Sequence, residues 1–332
     1  MKLYFAPMEG ITGRFFRNAY ESVYTGQIDK YFAPFITCAG KKGIAPKDLK
    51  ELLPENNPGI HLVPQVLVNK PEDFGYLAQA LKQIGYDEIN LNLGCPSKTV
   101  VSKGRGAGFL KDPEALDRFL EAAFDICEKS KQQLSIKTRL GMEETEEFDR
   151  LYEIYQQYPC SELIIHPRLQ KDYYKYPVRT SAFDKAWETR KDDQLVYNGD
   201  ITGSSQVAAL KEKYSGMPAV MIGRGFLMRP YLADMIRGNE IGTDNPAVAK
   251  IHEKLWLFHD RLYAAYKEEM PGARAVLFKM KELWFYLAES FPVTDDEQGK
   301  RNKKALKQIK KSQRLEDYEG AMLMLRLADM DG

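Results

Sequence analysis

The chain has 332 residues, 44% hydrophobic and 29% charged, with a net charge of +1 at neutral pH. That length suits a large core with an appended domain. The near-zero charge excludes the global field of a strongly basic nucleic-acid binder, so any such surface must be a local patch. Four cysteines (Cys38, Cys95, Cys127, Cys160) stand far apart with no Cys-x-x-Cys pair. This argues against a disulfide framework or a zinc site and for a reducing compartment. No apolar run approaches the roughly 18 residues of a membrane span. The stretch before Pro7 and Glu9 is too short for a signal peptide. A cytoplasmic soluble protein without metal, membrane or obligate protein partner is expected.

Short apolar runs alternate with amphipathic stretches. Strands are expected at Leu3–Ala6, Lys30–Phe35, Leu62–Leu67, Glu88–Asn92, Leu134–Lys137, Glu162–His166, Leu195–Asn198 and Ala219–Ile222. Several are apolar throughout, as parallel strands covered on both faces require. Helices are expected between them at Glu72–Ile84, Glu114–Ser130, Glu146–Gln157, Ala182–Arg190 and Ser204–Tyr214. Pro71 and the pair Asp112-Pro113 mark two of the starts. Lys41–Gly59, with three prolines, reads as loop and short turn. Eight β-α alternations predict a (β/α)8 TIM barrel over 1–240. A doubly wound sheet would need a Gly-rich fingerprint after the first strand, and Ala6-Pro-Met-Glu-Gly10 is not one. A composition shift at Gly238–Pro246 marks a linker. Ala247–Lys267, Ala273–Ser290, Glu297–Lys311 and Leu315–Leu327 then read as a small all-helical C-terminal domain over 245–332, with a Thr294–Glu297 capping box.

Polar residues gather at the carboxyl ends of the expected strands, where barrel active sites lie. Cys95 follows the fourth strand, beside Asn90, on a loop with Gly104, Gly106 and Gly108 that reads as free to move. Its thiol suits either proton donation or nucleophilic attack. Lys137, inside a buried strand, needs an anion or electron-rich acceptor. Gln65 can pair with both an acceptor and a donor on a planar ring edge. His166 and Arg168 end the sixth strand, and Arg139 ends the fifth. Asn198-Gly199-Asp200 and Gly223-Arg224-Gly225 put glycines and a positive charge where a phosphate can sit. The segment 301–314 holds seven basic residues and no acid. Lys303, Lys307 and Lys310 share a helix face there, and Lys98, Lys103 and Arg105 add charge near Cys95. Such local excess suits a nucleic-acid backbone.

Ala6-Pro-Met-Glu-Gly-Ile-Thr-Gly-Arg-Phe-Phe-Arg17, Asn92-Leu-Gly-Cys-Pro-Ser97, Lys137-Thr-Arg-Leu-Gly141, Asn198-Gly-Asp-Ile201 and Val220-Met-Ile-Gly-Arg-Gly225 together resemble the tRNA-dihydrouridine synthases, in order and spacing. The resemblance implies an FMN enzyme that reduces the 5,6 double bond of particular uridines in tRNA, with NADPH reducing the flavin. It implies FMN contacts from Pro7, Met8, Glu9, Gln65, Lys137, His166, Asn198, Gly199, Asp200, Gly223 and Arg224, with Cys95 as proton donor. Asn90, Lys98, Lys103, Arg105, Arg139, Arg168, Lys303, Lys307 and Lys310 are then expected to face substrate or RNA. The sequence departs from the family at Pro167 and Arg105, where glycine is common. An FMN barrel acting on a free pyrimidine is the competing expectation, and it leaves the helical tail without a use.

Overall fold

The computed structural model describes residues 1–190, 194–238 and 245–330. The expected linker falls largely outside them. Nine parallel strands form one sheet: β1 (Lys2–Phe5), β2 (Lys30–Phe32), β3 (Leu62–Val63), β4 (Gln65–Val66), β5 (Glu88–Leu93), β6 (Gln133–Thr138), β7 (Leu163–Ile165), β8 (Leu195–Asn198) and β9 (Ala219–Ile222). Their order is β3-β2-β1-β9-β8-β7-β6-β5-β4. The two ends of that order are consecutive in the chain, separated by Pro64 alone. Proline has no N–H to give the ladder, so one expected strand is divided into β3 and β4. The carbonyl of Pro64 still accepts from Asn90 N–H at 2.9 Å. The sheet therefore closes on itself as the expected eight-stranded barrel.

Helices alternate with the strands. Pro113–Ser130 begins as its Asp112-Pro113 signal demands, with the Asp112 carboxylate accepting from Ala115 N–H at 3.0 Å. One difference lies in the expected loop 41–59, where Pro46–Leu52 is a short helix. Pro46 occupies its first turn and Leu52 is buried, so this proline starts a helix rather than marking a loop.

The barrel interior has two characters. Tyr4, Ala6, Phe32, Val63, Ile164, Val196, Ala219 and Met221 form one apolar cluster, drawn from β1–β3 and β7–β9. Each large side chain contributes about 1.5–3 kcal/mol by leaving water. On the β4–β6 arc the inward positions are polar instead. The register pairs Gln65 with Asn90, Asn90 with Ser135 and Asn92 with Lys137. At the amino-terminal ends, Lys30 Nζ lies 2.9 Å from Glu88 and 3.0 Å from Glu162, and Tyr4 Oη donates to Glu162 at 2.5 Å.

The chain divides into two compact units. One comprises Met1–Glu9, Ile28–Ile201 and Ser205–Ile222; the other comprises Gly10–Gln27, Thr202–Ser204 and 223–332. The second unit thus contains more than the expected 245–332. Helix Arg14–Val23 groups with the C-terminal helices because its aromatic face packs on helix Asn245–Glu269. Phe15 meets Tyr266 at 5.7 Å, and Phe16 and Tyr20 meet Phe258 at 5.2 and 5.9 Å. Helices Arg224–Met228, Leu232–Ile236, Ala273–Leu287, Glu297–Lys311 and Leu315–Met330 also belong to this unit. Its core includes Tyr318, whose hydroxyl meets His259 Nε2 at 2.6 Å and Trp284 Nε1 at 2.9 Å.

Candidate active site

A pocket opens in the first unit at the carboxyl ends of the strands. Pro7, Met8 and Glu9 line it after β1, Gln65 from β4, Asn92 and Cys95 from β5 and its turn, and Lys137 and Arg139 from β6. His166 enters after β7, and Pro34, Phe35 and Tyr174 come from loops. Five independent strands therefore deliver chemistry-bearing groups to one cavity. Sequence reasoning missed Asn92, Phe35 and Tyr174. Asn92 had a signal, because it shares the inward side with Asn90 and stands two residues nearer the carboxyl end. Tyr174 lies in an irregular loop and had none.

The Cys95 turn is tightly held. Asn92 Oδ1 accepts from the N–H groups of Gly94 at 3.0 Å and Cys95 at 2.9 Å. Arg139 clamps the other side. Its Nε donates to the Gly94 carbonyl at 2.9 Å, and its two terminal nitrogens donate to the carbonyls of Leu169 at 2.8 Å and Tyr173 at 3.0 Å. Gln170 Nε2 adds a bond to the Pro96 carbonyl at 3.0 Å. Burial, opposed by a backbone hydrogen bond from Ser97, pushes the Cys95 thiol above its ordinary range. It therefore keeps its proton at neutral pH, which suits an acid better than a thiolate nucleophile.

Lys137 is displaced the other way. Burial, reinforced by the Arg139 guanidinium, lowers its pKa to about 7. No hydrogen bond or ion pair to another described residue satisfies its ammonium. Such a group, aimed into a cavity, is set to meet an acceptor from outside the chain. Glu9, also in the pocket, is raised by burial.

Several expected contacts take other roles. Asn90, expected at the substrate, is 0% exposed and lies beneath the pocket, bonded to Gln65 and Ser135. Arg139 and Arg168, expected to face substrate or RNA, are 1% and 2% exposed, and of the two only Arg139 lines the pocket. Arg168 spends its guanidinium on His166 Nε2 at 2.9 Å and, as a two-pronged ion pair, on Asp200. Asp200, at φ +47°, is thereby engaged by protein, while Asn198 Nδ2 ties β8 to β9 through the Met221 carbonyl at 2.8 Å. Arg105 faces an acid, pairing with Asp73 at 3.7 Å and with Asn69 Oδ1 at 3.4 Å. Lys98 and Lys103 are exposed. The glycines after Cys95 serve packing rather than freedom. A Cβ on Gly106 would meet the Cys95 carbonyl oxygen at 2.9 Å, and one on Gly108 the Val101 carbonyl oxygen at 2.6 Å.

In the second unit, Gly223 precedes the five-residue helix Arg224–Met228. Lys303, Lys307 and Lys310 are exposed on helix Glu297–Lys311, while Ala305 and Ile309 are buried. None of the three lysines forms an ion pair with a described residue.

A family model described as dihydrouridine synthase (Dus) matches residues 4–321. A tRNA-dihydrouridine(16) synthase of Pasteurella multocida is 28% identical over 302 residues, spanning 89% of this chain and 92% of the relative. A probable tRNA-dihydrouridine synthase of Staphylococcus epidermidis is 27% identical, spanning 77% and 78%. Among solved structures, a morphinone reductase in complex with tetrahydroNAD aligns with a TM-score of 0.51 at 12% identity, over 71% of this chain and 86% of that one. A 2-naphthoyl-CoA reductase aligns with a TM-score of 0.53 at 12% identity, over 72% and 50%. At such identity these two speak for the barrel fold alone.

Proposed function

We propose that this chain, which belongs to the dihydrouridine synthase family, reduces the C5=C6 bond of particular uridines in tRNA, with FMN held in the pocket around Lys137 and Cys95 as proton donor. The observation that carries this reading is the convergence, in one cavity, of the Cys95 thiol and the Lys137 amine, which has no hydrogen-bond or ion-pair partner among the described residues. The residues suit a flavin. Lys137 offers a donor to the electron-rich edge of the ring system. Gln65 has one N–H and one lone pair unclaimed by described protein groups, a match for a planar edge with both acceptor and donor. Pro7 and Met8 offer apolar surface, and His166 with Glu9 completes that side. In the first unit Asn198, Gly199 and Asp200 are candidates for phosphate contacts by their backbone N–H groups; in the second, taken by itself, Gly223 and Arg224 are candidates for an anion.

When bound, the flavin supplies the hydride chemistry, with NADPH as its reductant. The chain's own residues do the rest. Cys95 gives its Sγ proton to uracil C5 as C6 is reduced, and the Asn92–Arg139 clamp fixes where that proton lies. The target base must leave its stack to enter, and Tyr174, 46% exposed at the rim, offers a face for it. Lys98, Lys103, Lys303, Lys307 and Lys310 supply charge for the RNA backbone. No described helix is long and apolar enough to cross a membrane, and a tRNA substrate suits the cytoplasm.

The test is incubation with NADPH and unmodified tRNA, scoring dihydrouridine and flavin absorbance. Product on tRNA, lost by at least about a hundredfold in Cys95→Ala with flavin retained, is the expected result. Turnover of free uracil or UMP but not tRNA would move the protein to small-molecule chemistry. Full activity in Cys95→Ala would remove the thiol from the mechanism.

A further inference from the structure

We infer that Asn90 and Ser135, which touch neither pocket nor solvent, are positioning residues that complete a buried amide relay and thereby hold Cys95 and Gln65 in working orientation. This rests on the reading in which Cys95 delivers the proton.

The relay has four side chains and a single consistent direction. At one end the N–H groups of Gly94 and Cys95 donate to Asn92 Oδ1. Backbone N–H groups are donors only, so the Asn92 oxygen must face the turn and its Nδ2 must face inward. That nitrogen donates to Gln65 Oε1 at 2.7 Å, and Gln65 Nε2 donates to Asn90 Oδ1 at 2.7 Å. Asn90 Nδ2 then donates to Ser135 Oγ at 2.9 Å. The far end is compatible with that direction. Ser135 Oγ has the Ile89 carbonyl at 3.3 Å and the Glu88 carboxylate at 3.5 Å as acceptors for its proton. Both are acceptors only, so the serine lone pair is left for Asn90. The turn end alone dictates which way every amide points, and the serine hydroxyl, able to donate or accept, fits that direction without imposing it.

Asn90 and Ser135 are 0% exposed, so no water competes for their groups, while Gln65 (1%) and Asn92 (7%) border the pocket. Turning one amide over would place two donors or two acceptors face to face at each joint, against the high cost of unmet buried polar groups. The register of β4, β5 and β6 sets these residues side by side, so the relay follows from the barrel itself. Its consequence reaches the pocket twice. Gln65 can present only its second Nε2–H and second Oε1 lone pair, in a set order. The Cys95 turn is anchored to the barrel wall through Asn92 as well as through Arg139.

The test uses Asn90→Val, which removes both joints at similar volume, and Asn90→Asp, which keeps an acceptor toward Gln65 in either protonation state. In the flavin-free protein, iodoacetamide labelling of Cys95 is read by peptide mass spectrometry. Asn90→Val is expected to label severalfold faster, as the turn loosens, and Asn90→Asp close to wild type. With flavin and tRNA, Asn90→Val is expected to lose about tenfold to a hundredfold in kcat with KM for tRNA unchanged. Asn90→Asp is expected to recover most of that loss. If Asn90→Val does not fold, Ser135→Ala, which frees the relay's inner end, is expected to show the same labelling and kcat changes more weakly. Wild-type labelling and kcat in the folded variant, or a raised KM with kcat intact, would overturn the inference. The labelling result stands whether or not Cys95 is the proton donor, so failure of that role, seen as an active Cys95→Ala, is distinguishable.

Discussion

Lys137 and Cys95 respond oppositely to the same cause. Burial disfavours the charged form of each, so the amine falls to about 7 and the thiol rises. An acceptor bound against Lys137 favours its charged form, so its pKa in the complex lies above 7. Flavin binding then takes up a proton in the window between the two values. Affinity is expected to be highest below about pH 7 and to fall above it, by at most about tenfold per pH unit. Fluorescence titration of FMN across that window checks this, and Lys137→Met should weaken binding and flatten the slope. A pH-independent affinity in the wild type would leave Lys137 without the assigned partner. The sequence made Lys137, Gln65 and Cys95 visible because each is polar within or just after an apolar strand. It did not show that Asn90 and Arg168 are taken up by protein contacts while Arg139 lines the pocket, because proximity to a strand end does not tell whether a donor meets ligand, solvent or a backbone carbonyl.

The segment from Cys95 to Lys111 shows how an element's role depends on its packing. Closely spaced glycines suggest mobility in a sequence. Here Ala107 N–H donates to the Cys95 carbonyl at 3.1 Å, Gly106 takes φ +55°, and Gly108 lies against the Val101 backbone. Gly108→Ala is expected to destabilise the protein by about 1–3 kcal/mol, since backbone rather than a flexible side-chain end must move. Gly320→Ala supplies the contrast. It lies within helix Leu315–Met330 with nothing within 4 Å of the new methyl, and should stabilise by about 0.5–1 kcal/mol. Thermal unfolding of both variants checks the pair. An unchanged Tm in Gly108→Ala would show the turn to be looser than its close packing implies.

For the whole molecule, the distribution of charge matters more than its sum of +1. Lys303, Lys307 and Lys310 stand exposed while the helix buries Ala305 and Ile309. If they meet RNA phosphates, reversing Lys307 and Lys310 to Glu should weaken tRNA binding. The slope of log affinity against log salt should shrink by about one for each phosphate no longer neutralised. Filter binding across a salt series decides, and an unchanged slope would assign the run to solvated surface. Local patterns along the chain were enough for the barrel, the helical tail and the polar groups gathered at the strand ends. Strand alternation, caps and apolar runs are local signals, and a barrel's topology orders its carboxyl ends into one rim. Only the tertiary structure decided that helix Arg14–Val23 joins the C-terminal helices, because the partner of an aromatic face lies over 200 residues away. It also decided which asparagine meets the pocket and which supports it. Strand register, not sequence spacing, chooses each amide's neighbours, and burial makes those choices binding.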